Sequence, residues 1–248
     1  PCVPGSYQAT TGQSSCAEAS PGYYVPTYGS ASQTPCSPGS YQPNTGSFYC
    51  ITTDSGHFTS GSASTSQTPC SLGHYQMFTG QSACEPAEPG HYVDSIASPS
   101  QTPCAAGTYQ PLSGQTGCID ASPGYFVGQA GATSQTPCAA GTYQPGSATT
   151  SCIASDSGFH VPPSGSSSQQ HCLPGSYQPS SGQTACLDAP PGTYTTSNAS
   201  VSTTPCWVGT YQPSAGQTGC ITAASGHYVD QIASDAQTPC PAGTYNPF

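Results

Sequence analysis

The sequence predicts a small-unit, disulfide-rich protein, mostly β and irregular, in which tandem repeats form an elongated linear array. Three observations support this fold class. The 15 cysteines recur with a 34-residue period, and glycine followed by an aromatic ring recurs with a 17-residue period. Leu, Ile, Val and Phe together make up roughly a tenth of the chain, well under the ~20% below which a chain forms a poor core. Small units without a large core are commonly held by disulfides.

The cysteine spacing defines the repeats. From Cys2 through Cys16, Cys36 and Cys50 onward, 14-residue and 20-residue steps alternate without one insertion. Helical repeats can also have a 34-residue period, but Pro and Gly recur every few positions here, and both interrupt helices. The predicted repeats are 2–35, 36–69, 70–103, 104–137, 138–171, 172–205 and 206–239, followed by a partial repeat, 240–248.

Each repeat consists of two hairpin-like, 17-residue units. The A unit reads C-x-x-G-x-Y-Q-P-x-x-G-Q-x-x-C, as at residues 104–118, and the B unit reads A-x-P-G-Y-F-V…S-Q-T-P, as at 121–137. Each unit carries one ring two positions after its glycine, and only His160 departs from Tyr or Phe. The ring positions are Tyr7, Tyr24, Tyr41, Phe58, Tyr75, Tyr92, Tyr109, Phe126, Tyr143, His160, Tyr177, Tyr194, Tyr211, Tyr228 and Tyr245.

A comparison of the two units predicts the disulfide pairing. A shift by one unit places the cysteines of an A unit on Ala19 and Gln33, and both cysteines are absent together from every B unit. Residues lost as a pair are expected to be bonded as a pair, although sequence normally leaves connectivity open. The predicted bridges are Cys2–Cys16, Cys36–Cys50, Cys70–Cys84, Cys104–Cys118, Cys138–Cys152, Cys172–Cys186 and Cys206–Cys220.

Cys240 is left unpaired, because its partner would fall at position 254, beyond Phe248. A window that stops before the partner is the favoured interpretation, and an intermolecular bridge or a free thiol are the alternatives. The chain also opens in mid-pattern at Pro1, so we expect the window to have lost its start, its end, or both.

The A-unit motif resembles the ephrin-receptor-like cysteine-rich repeat, a relative of tumour-necrosis-factor-receptor modules. C-x-x-G-x-Y…G…C followed by a second G-x-Y unit carries the resemblance along the whole chain, while the B units depart from it by lacking cysteines. The resemblance implies a β-rich rod belonging to a receptor, an adhesin or a long surface protein, and it implies no particular ligand.

Within a unit, the G-x-Y-Q-P segment is expected to be extended, because the residue before proline favours β or polyproline geometry. The later glycine, as at Gly12 or Gly80, allows the return turn. The ladder of rings is expected to be buried between neighbouring units, as nearest-neighbour packing stabilises repeat proteins. A row of exposed rings that binds a sugar or another ligand is the alternative.

Charge and motifs exclude several function classes. The chain has no Lys or Arg, and its 10 acidic residues give a net charge of −10. Nucleic acids and anionic membrane surfaces both require basic residues. No apolar run approaches the ~20 residues of a membrane-spanning helix, and no catalytic motif is present. We therefore expect an extracellular protein that is not an enzyme, has no cofactor or metal, and does not insert into membranes through this segment.

Two further features bear on binding and modification. Acidic residues cluster where A units meet B units, as at Glu18, Asp54 and Asp156, and either a solvated junction or weak calcium binding would use them. His57, His91 and His227 share one position of the B unit but lie at least one full repeat apart, which argues against a joint metal site.

Ser and Thr make up more than a quarter of the chain, so its loops are either flexible polar segments or acceptors for O-linked sugars. The one N-glycosylation sequon places a candidate glycan on Asn198.

The leading functional hypothesis is a glycosylated structural protein that forms a surface filament, fibril or stalk, with further copies of the same repeats as its partner. Perfect periodicity and the absence of insertions favour it. The alternative is a receptor or adhesin ectodomain that binds a protein or glycan, and the region around Trp207, the only tryptophan, is its best candidate surface.

Overall fold

The computed structural model describes residues 1–244. Its regular structure consists of two-residue β-strands, and no helix occurs in that range. The strands are β1 Ser6–Tyr7, β2 Ala17–Glu18, β3 Tyr23–Tyr24, β4 Thr34–Pro35, β5 Ser40–Tyr41, β6 Ile51–Thr52, β7 His57–Phe58, β8 Thr68–Pro69, β9 His74–Tyr75, β10 Glu85–Pro86, β11 His91–Tyr92, β12 Thr102–Pro103, β13 Thr108–Tyr109, β14 Ile119–Asp120, β15 Tyr125–Phe126, β16 Thr136–Pro137, β17 Thr142–Tyr143, β18 Ile153–Ala154, β19 Phe159–His160, β20 Gln170–His171, β21 Ser176–Tyr177, β22 Leu187–Asp188, β23 Thr193–Tyr194, β24 Thr204–Pro205, β25 Thr210–Tyr211, β26 Ile221–Thr222, β27 His227–Tyr228 and β28 Thr238–Pro239.

Consecutive strands pair into fourteen two-stranded sheets within the described residues, one hairpin for each 17-residue unit. The A-unit hairpin pairs Tyr7 with Ala17, and the following B-unit hairpin pairs Tyr24 with Thr34 in the same antiparallel register. The disulfide-rich, mostly β repeat fold predicted from the sequence is thereby confirmed. Tyr245 and the end of the predicted partial repeat 240–248 lie outside the described residues.

The chain divides into two compact units. The first comprises Pro1–Ile119 with Gln129–Ser134, and the second comprises Asp120–Gly128 with the residues from Gln135 onward. Each compact unit is built from the same hairpins by the same contacts. The boundaries of the seven predicted 34-residue repeats stay a prediction.

Within each compact unit, backbone hydrogen bonds join consecutive hairpins in the same pattern. In the first, the Gly22 amide donates to the Gln42 carbonyl (2.8 Å), and the Val25 amide donates to the Ser47 carbonyl (3.0 Å). In the opposite direction, the Gly46 amide donates to the Ala19 carbonyl (2.8 Å). Bonds at these same offsets recur from one hairpin to the next. Hydrogen bonds between backbone groups therefore hold neighbouring hairpins together, a role that a hydrophobic core has in other proteins.

The core consists of two columns of side chains, and each column takes one residue from every 17-residue unit. The first column alternates a cysteine with a small residue and is almost fully buried. Its buried members are Cys2, Ala19, Cys36, Thr53, Cys70, Ala87, Cys104, Ala121, Cys138, Ser155, Cys172, Ala189 and Cys206. The second column alternates glutamine with valine or threonine. Its buried members are Val25, Gln42, Thr59, Gln76, Val93, Gln110, Val127, Gln144, Val161, Gln178, Thr195, Gln212 and Val229.

The buried glutamines have full hydrogen bonding. The Gln110 side chain donates to the Gly117 carbonyl (2.8 Å) and accepts from the Leu112 amide (3.2 Å), so it closes the loop of its own hairpin. No buried side-chain nitrogen or oxygen within residues 1–244 lacks a partner. A glutamine can therefore occupy a core position without the cost of an unsatisfied polar group.

The expectation that the rings form the core was wrong. Of the ring positions up to Tyr228, only Tyr75 is buried, and the others are half-buried. Neighbouring hairpins approach to backbone hydrogen-bond distance, and the buried positions of the two core columns hold Cys, Ala, Ser, Thr, Val or Gln rather than rings.

Candidate functional site

The structure forms seven disulfides within residues 1–244, and each joins cysteines with a sequence separation of 14. They are Cys2–Cys16, Cys36–Cys50, Cys70–Cys84, Cys104–Cys118, Cys138–Cys152, Cys172–Cys186 and Cys206–Cys220. These are the pairs inferred from the comparison of A and B units. Cys240 is a free, half-buried cysteine.

In six of the seven B units, a glutamine hydrogen bond stands where A units have a disulfide, and the remaining B unit has Thr203 at that position. The Gln33 side chain, at the position of the second cysteine, accepts from the Ser20 amide at 2.7 Å. Gln67, Gln101, Gln135, Gln169 and Gln237 make the same bond at 2.7–2.8 Å. We call this contact the glutamine clamp. The sequence comparison identified these glutamines as replacements for cysteine but did not give them a role.

Three of the acidic residues at the unit junctions take part in the clamp. The Gln67 amide donates to Asp54 (2.7 Å), Gln101 donates to Glu88 (3.0 Å), and Gln169 donates to Asp156 (2.7 Å). These three carboxylates therefore accept a hydrogen bond from a glutamine of the same chain. The sequence alone leaves open whether the junctions are solvated or bind calcium.

One hairpin differs from all the others at both of its strands. His160 stands where the other described units have Tyr or Phe, and Gln170–His171 stands where every other B unit has Thr-Pro. The register brings the two changes together, because His160 pairs with Gln170 and Phe159 pairs with His171. We call this pair of strands the histidine hairpin.

A groove lies beside His160 and Cys186 of the Cys172–Cys186 disulfide. The groove has a volume of about 780 Å³ and is lined by both histidines, Leu173 and Cys186 among others. The equivalent groove three repeats earlier holds Phe58 at this position and measures about 380 Å³. The substitution of histidine for an aromatic ring therefore accompanies a larger, open cleft.

His160 contacts the disulfide directly. Its Nδ1 lies 3.1 Å from Cys186 Sγ, and it is half-buried, as is Cys186, while Cys172 is fully buried. In the same hairpin, the Phe159 and His171 rings meet edge to face with centroids 6.5 Å apart. In the sequence, His160 is the single break in the ring ladder, and the coincident replacement of Thr-Pro by Gln170–His171 is the further signal that points to this hairpin.

Tyr75 is a buried phenol that lies beside two carboxylates. Burial raises the pKa of the Tyr75 phenol, and the carboxylates of Glu85 and Glu88 add to the rise, Glu85 also by hydrogen bonding. Tyr75 packs with Ala87 and Val93 in a small hydrophobic cluster.

The other candidate positions lie at the surface. Asn198 is exposed in the turn before Ala199, where an N-linked glycan would have room. Trp207 is 65% exposed, and its neighbour Val208 is 57% exposed. A search of residues 1–244 found no helix with the length and apolarity that crossing a membrane requires.

One known protein family matches part of the chain. Residues 170–206 fit the family model described as tyrosine-protein kinase ephrin type A/B receptor-like. The matched segment begins in the histidine hairpin, contains the Cys172–Cys186 disulfide and Asn198, and ends at Cys206. The resemblance to an ephrin-receptor-like cysteine-rich module is confirmed for these residues. The matched family is a family of receptor-like modules and not of enzymes. No curated protein matches the chain.

Proposed function

We propose that this chain, with its ephrin-receptor-like module at residues 170–206, is a glycosylated structural element of an extracellular filament, fibril or stalk and is not an enzyme. Modules of this class suggest an extracellular or cell-surface location. Disulfides at this density persist in oxidising surroundings, which supports the same location.

The observation that carries the proposal is the uniformity of the bonds between hairpins. Within each compact unit, the amides of the recurrent glycines bond a carbonyl of the next hairpin at a constant offset, as at Gly73 to Val93 and at Gly192 to Gln212. Bonds of this kind use backbone atoms alone, so they do not depend on which side chains a repeat carries. A repeat array of this construction can be lengthened without new contacts, as a structural element requires.

Self-association is supported by a recurring apolar position. Ile153, Leu187 and Ile221 follow the second cysteine of successive A units and are 46–48% exposed. With 4% charged residues in the whole chain, little electrostatic repulsion opposes the contact of identical surfaces. Rows of apolar side chains at a fixed interval are suited to packing copies side by side.

The test measures the assembly of the purified chain by analytical ultracentrifugation across a wide concentration range and by electron microscopy. The wild type should form fibres or large oligomers. The triple variant I153E/L187E/I221E should shift this equilibrium to monomer while keeping its disulfides. Glu85 occupies the equivalent position of another A unit, so glutamate is compatible with the hairpin.

A matched control adds the same charge elsewhere. Ser147, Ser181 and Ala215 are exposed and recur once per repeat, at the same interval as the three apolar positions, so S147E/S181E/A215E should assemble like the wild type. A wild-type chain that stays monomeric at all concentrations, with no fibres on grids, would decide for a monomeric stalk.

Glycosylation would supply the hydration that a weakly charged protein lacks. We expect O-linked sugars on loop Ser or Thr residues of the native material and an N-linked glycan on Asn198. Intact-mass measurement of native protein checks this, and a mass equal to the bare polypeptide would remove glycosylation from the proposal.

A receptor or adhesin ectodomain is the second candidate, supported by the exposure of Trp207. Solvent-exposed tryptophans are enriched at binding hot spots. If this surface binds a protein or glycan ligand, W207A should reduce binding of the chain to cells or to immobilised glycans. L173A, which shortens another exposed apolar side chain (63% exposed), serves as the control and should leave that binding unchanged.

A further inference from the structure

The contact between His160 and the adjacent disulfide assembles three metal-ligating groups. His160, Cys172 and Cys186 each place one ligand atom so that all three lie within 4.8 Å of one another. The other cystines that follow a B unit have Tyr or Phe in the place of this histidine. Among the cystines of residues 1–244, Cys172–Cys186 is therefore the one that has a histidine in place of the Tyr or Phe ring.

We propose that reduction of the Cys172–Cys186 disulfide creates a zinc site in which Nδ1 of His160 and the two thiolates bind one Zn²⁺ ion. Cysteine thiolate and histidine are the ligands that zinc prefers in proteins. One neutral imidazole and two thiolates balance the charge of the ion. The inference is independent of whether the chain forms filaments.

The geometry needs one local adjustment. Zinc–sulfur distances of about 2.3 Å and zinc–nitrogen distances of about 2.0 Å place tetrahedral ligands about 3.5–3.8 Å apart. The 3.1 Å between His160 Nδ1 and Cys186 Sγ is already near that separation. Once the covalent bond is broken, the two sulfur atoms must move apart, and the groove of about 780 Å³ provides the space.

The redox step is balanced by a dithiol reductant. The dithiol gives two electrons and two protons to the Cys172–Cys186 bond, which becomes two thiols, and the reductant leaves as its own disulfide. Zn²⁺ then displaces both thiol protons into solvent and forms two zinc–sulfur bonds, while His160 donates its Nδ1 lone pair and keeps its proton on Nε2. Water entering from the groove can take the fourth position.

The reduced state is one through which each newly made chain passes, since disulfides form after synthesis. A zinc ion bound at this repeat would hold its two sulfur atoms as thiolate ligands and delay their oxidation. No other cystine in the described part of the chain belongs to such a three-ligand group, so the other disulfides would close without this competition.

The test uses the full chain, reduced by a dithiol without oxygen and titrated with Co²⁺, whose tetrahedral thiolate complexes absorb in the visible range. The wild type should bind one Co²⁺ equivalent that Zn²⁺ displaces, and the oxidised chain should bind none. H160Y restores the ring found at Tyr92 and should lose that equivalent.

A gain-of-site variant provides the matched control. Phe126 occupies the position before Cys138–Cys152 that His160 occupies before Cys172–Cys186, so F126H should add a second Co²⁺ equivalent. Cadmium NMR on the reduced wild type should show a single resonance typical of two sulfur ligands and one nitrogen. Cobalt binding that is unchanged in H160Y, equal binding by the oxidised chain, or the absence of that cadmium resonance would each overturn the proposal.

Discussion

At the scale of single residues, two columns of glycine look alike in the sequence but meet different constraints. The column that includes Gly73 is glycine in every unit, whereas the turn column that includes Gly80 contains alanine in five units. Both columns have positive φ throughout the described residues. They differ in their surroundings, because a Cβ on Gly73 would overlap the carbonyl oxygen of Gly114 while Gly80 has no atom nearer than 4.0 Å.

Alanine substitution at these two glycines should therefore have unequal effects. G80A should cost about 1–2 kcal/mol, the penalty of a left-handed backbone for a residue with a Cβ. G73A should cost about 1–3 kcal/mol more, because the neighbouring backbone must move to admit the Cβ. Denaturant unfolding of the oxidised chain measures both. Equal losses of stability would show that backbone conformation alone, and not the close approach, restricts this column to glycine.

Tyr75 should ionise above the ordinary pKa of a tyrosine. Its raised pKa means that the folded chain holds the Tyr75 proton more tightly than the unfolded chain does, so its contribution to stability is present below the ordinary value of 10.0 and is lost as pH rises through the folded-state pKa. Ultraviolet titration should show that Y75F lacks a tyrosine transition that the wild type has above pH 10.0. If Y75F retains that transition, another tyrosine is responsible.

At the scale of the hairpin, a disulfide and a glutamine clamp hold equivalent positions. The Cys104–Cys118 bond closes one hairpin, and in the next the Gln135 side chain accepts from the Ser122 amide at 2.7 Å. The first is covalent and restricts the unfolded chain, with a stabilisation of about 3 kcal/mol for a loop of this length. The second is a single hydrogen bond, with a net contribution of about 1 kcal/mol.

Converting an A hairpin to the B pattern tests this equivalence. C104A/C118A should lose about 3 kcal/mol of unfolding free energy, and C104A/C118Q should regain about 1 kcal/mol of it, because the introduced glutamine can accept from the Ala105 amide. Q135A, which removes a natural clamp, should lose the same amount that the introduced glutamine restores. Thermal unfolding of the three variants measures these differences. No difference between the two double variants would mean that the clamp contributes nothing measurable.

The sequence predicted the hairpins better than it predicted their interiors. Cysteine pairs and turn glycines follow directly from the comparison of A and B units, because each is a local feature of one unit. The burial of Gln110 and the half-exposure of Tyr109 do not follow, because both depend on how closely the next hairpin approaches. The break in the pattern at His160 was visible, but its contact with Cys186 required the fold.

At the scale of the whole chain, consecutive hairpins within each compact unit are bonded at a constant sequence offset. The sequence period indicates that offset but not the bonds. That the Gly22 amide would meet Gln42 and the Val25 amide would meet Ser47 depends on the packing of the hairpins in space. Because these bonds are the same between A and B units, stability should be distributed along the chain as a sum of unit and interface contributions.

Removal of one complete repeat should therefore be tolerated. After deletion of residues 36–69, the Gly22 amide would meet the Gln76 carbonyl in place of that of Gln42, and the Val25 amide would meet Gln81 in place of Ser47, so every bond at the junction has a substitute. We expect this variant to form its remaining disulfides and to unfold within a few degrees of the wild type. Deletion of residues 36–60 removes the same cystine but leaves a fragment, 61–69, that cannot form a unit, and it should lose the junction bonds and unfold at a lower temperature. Calorimetry with non-reducing peptide mapping checks both variants, and scrambled disulfides or an equal loss of stability in the two would mean that the contacts of each repeat are particular to its neighbours.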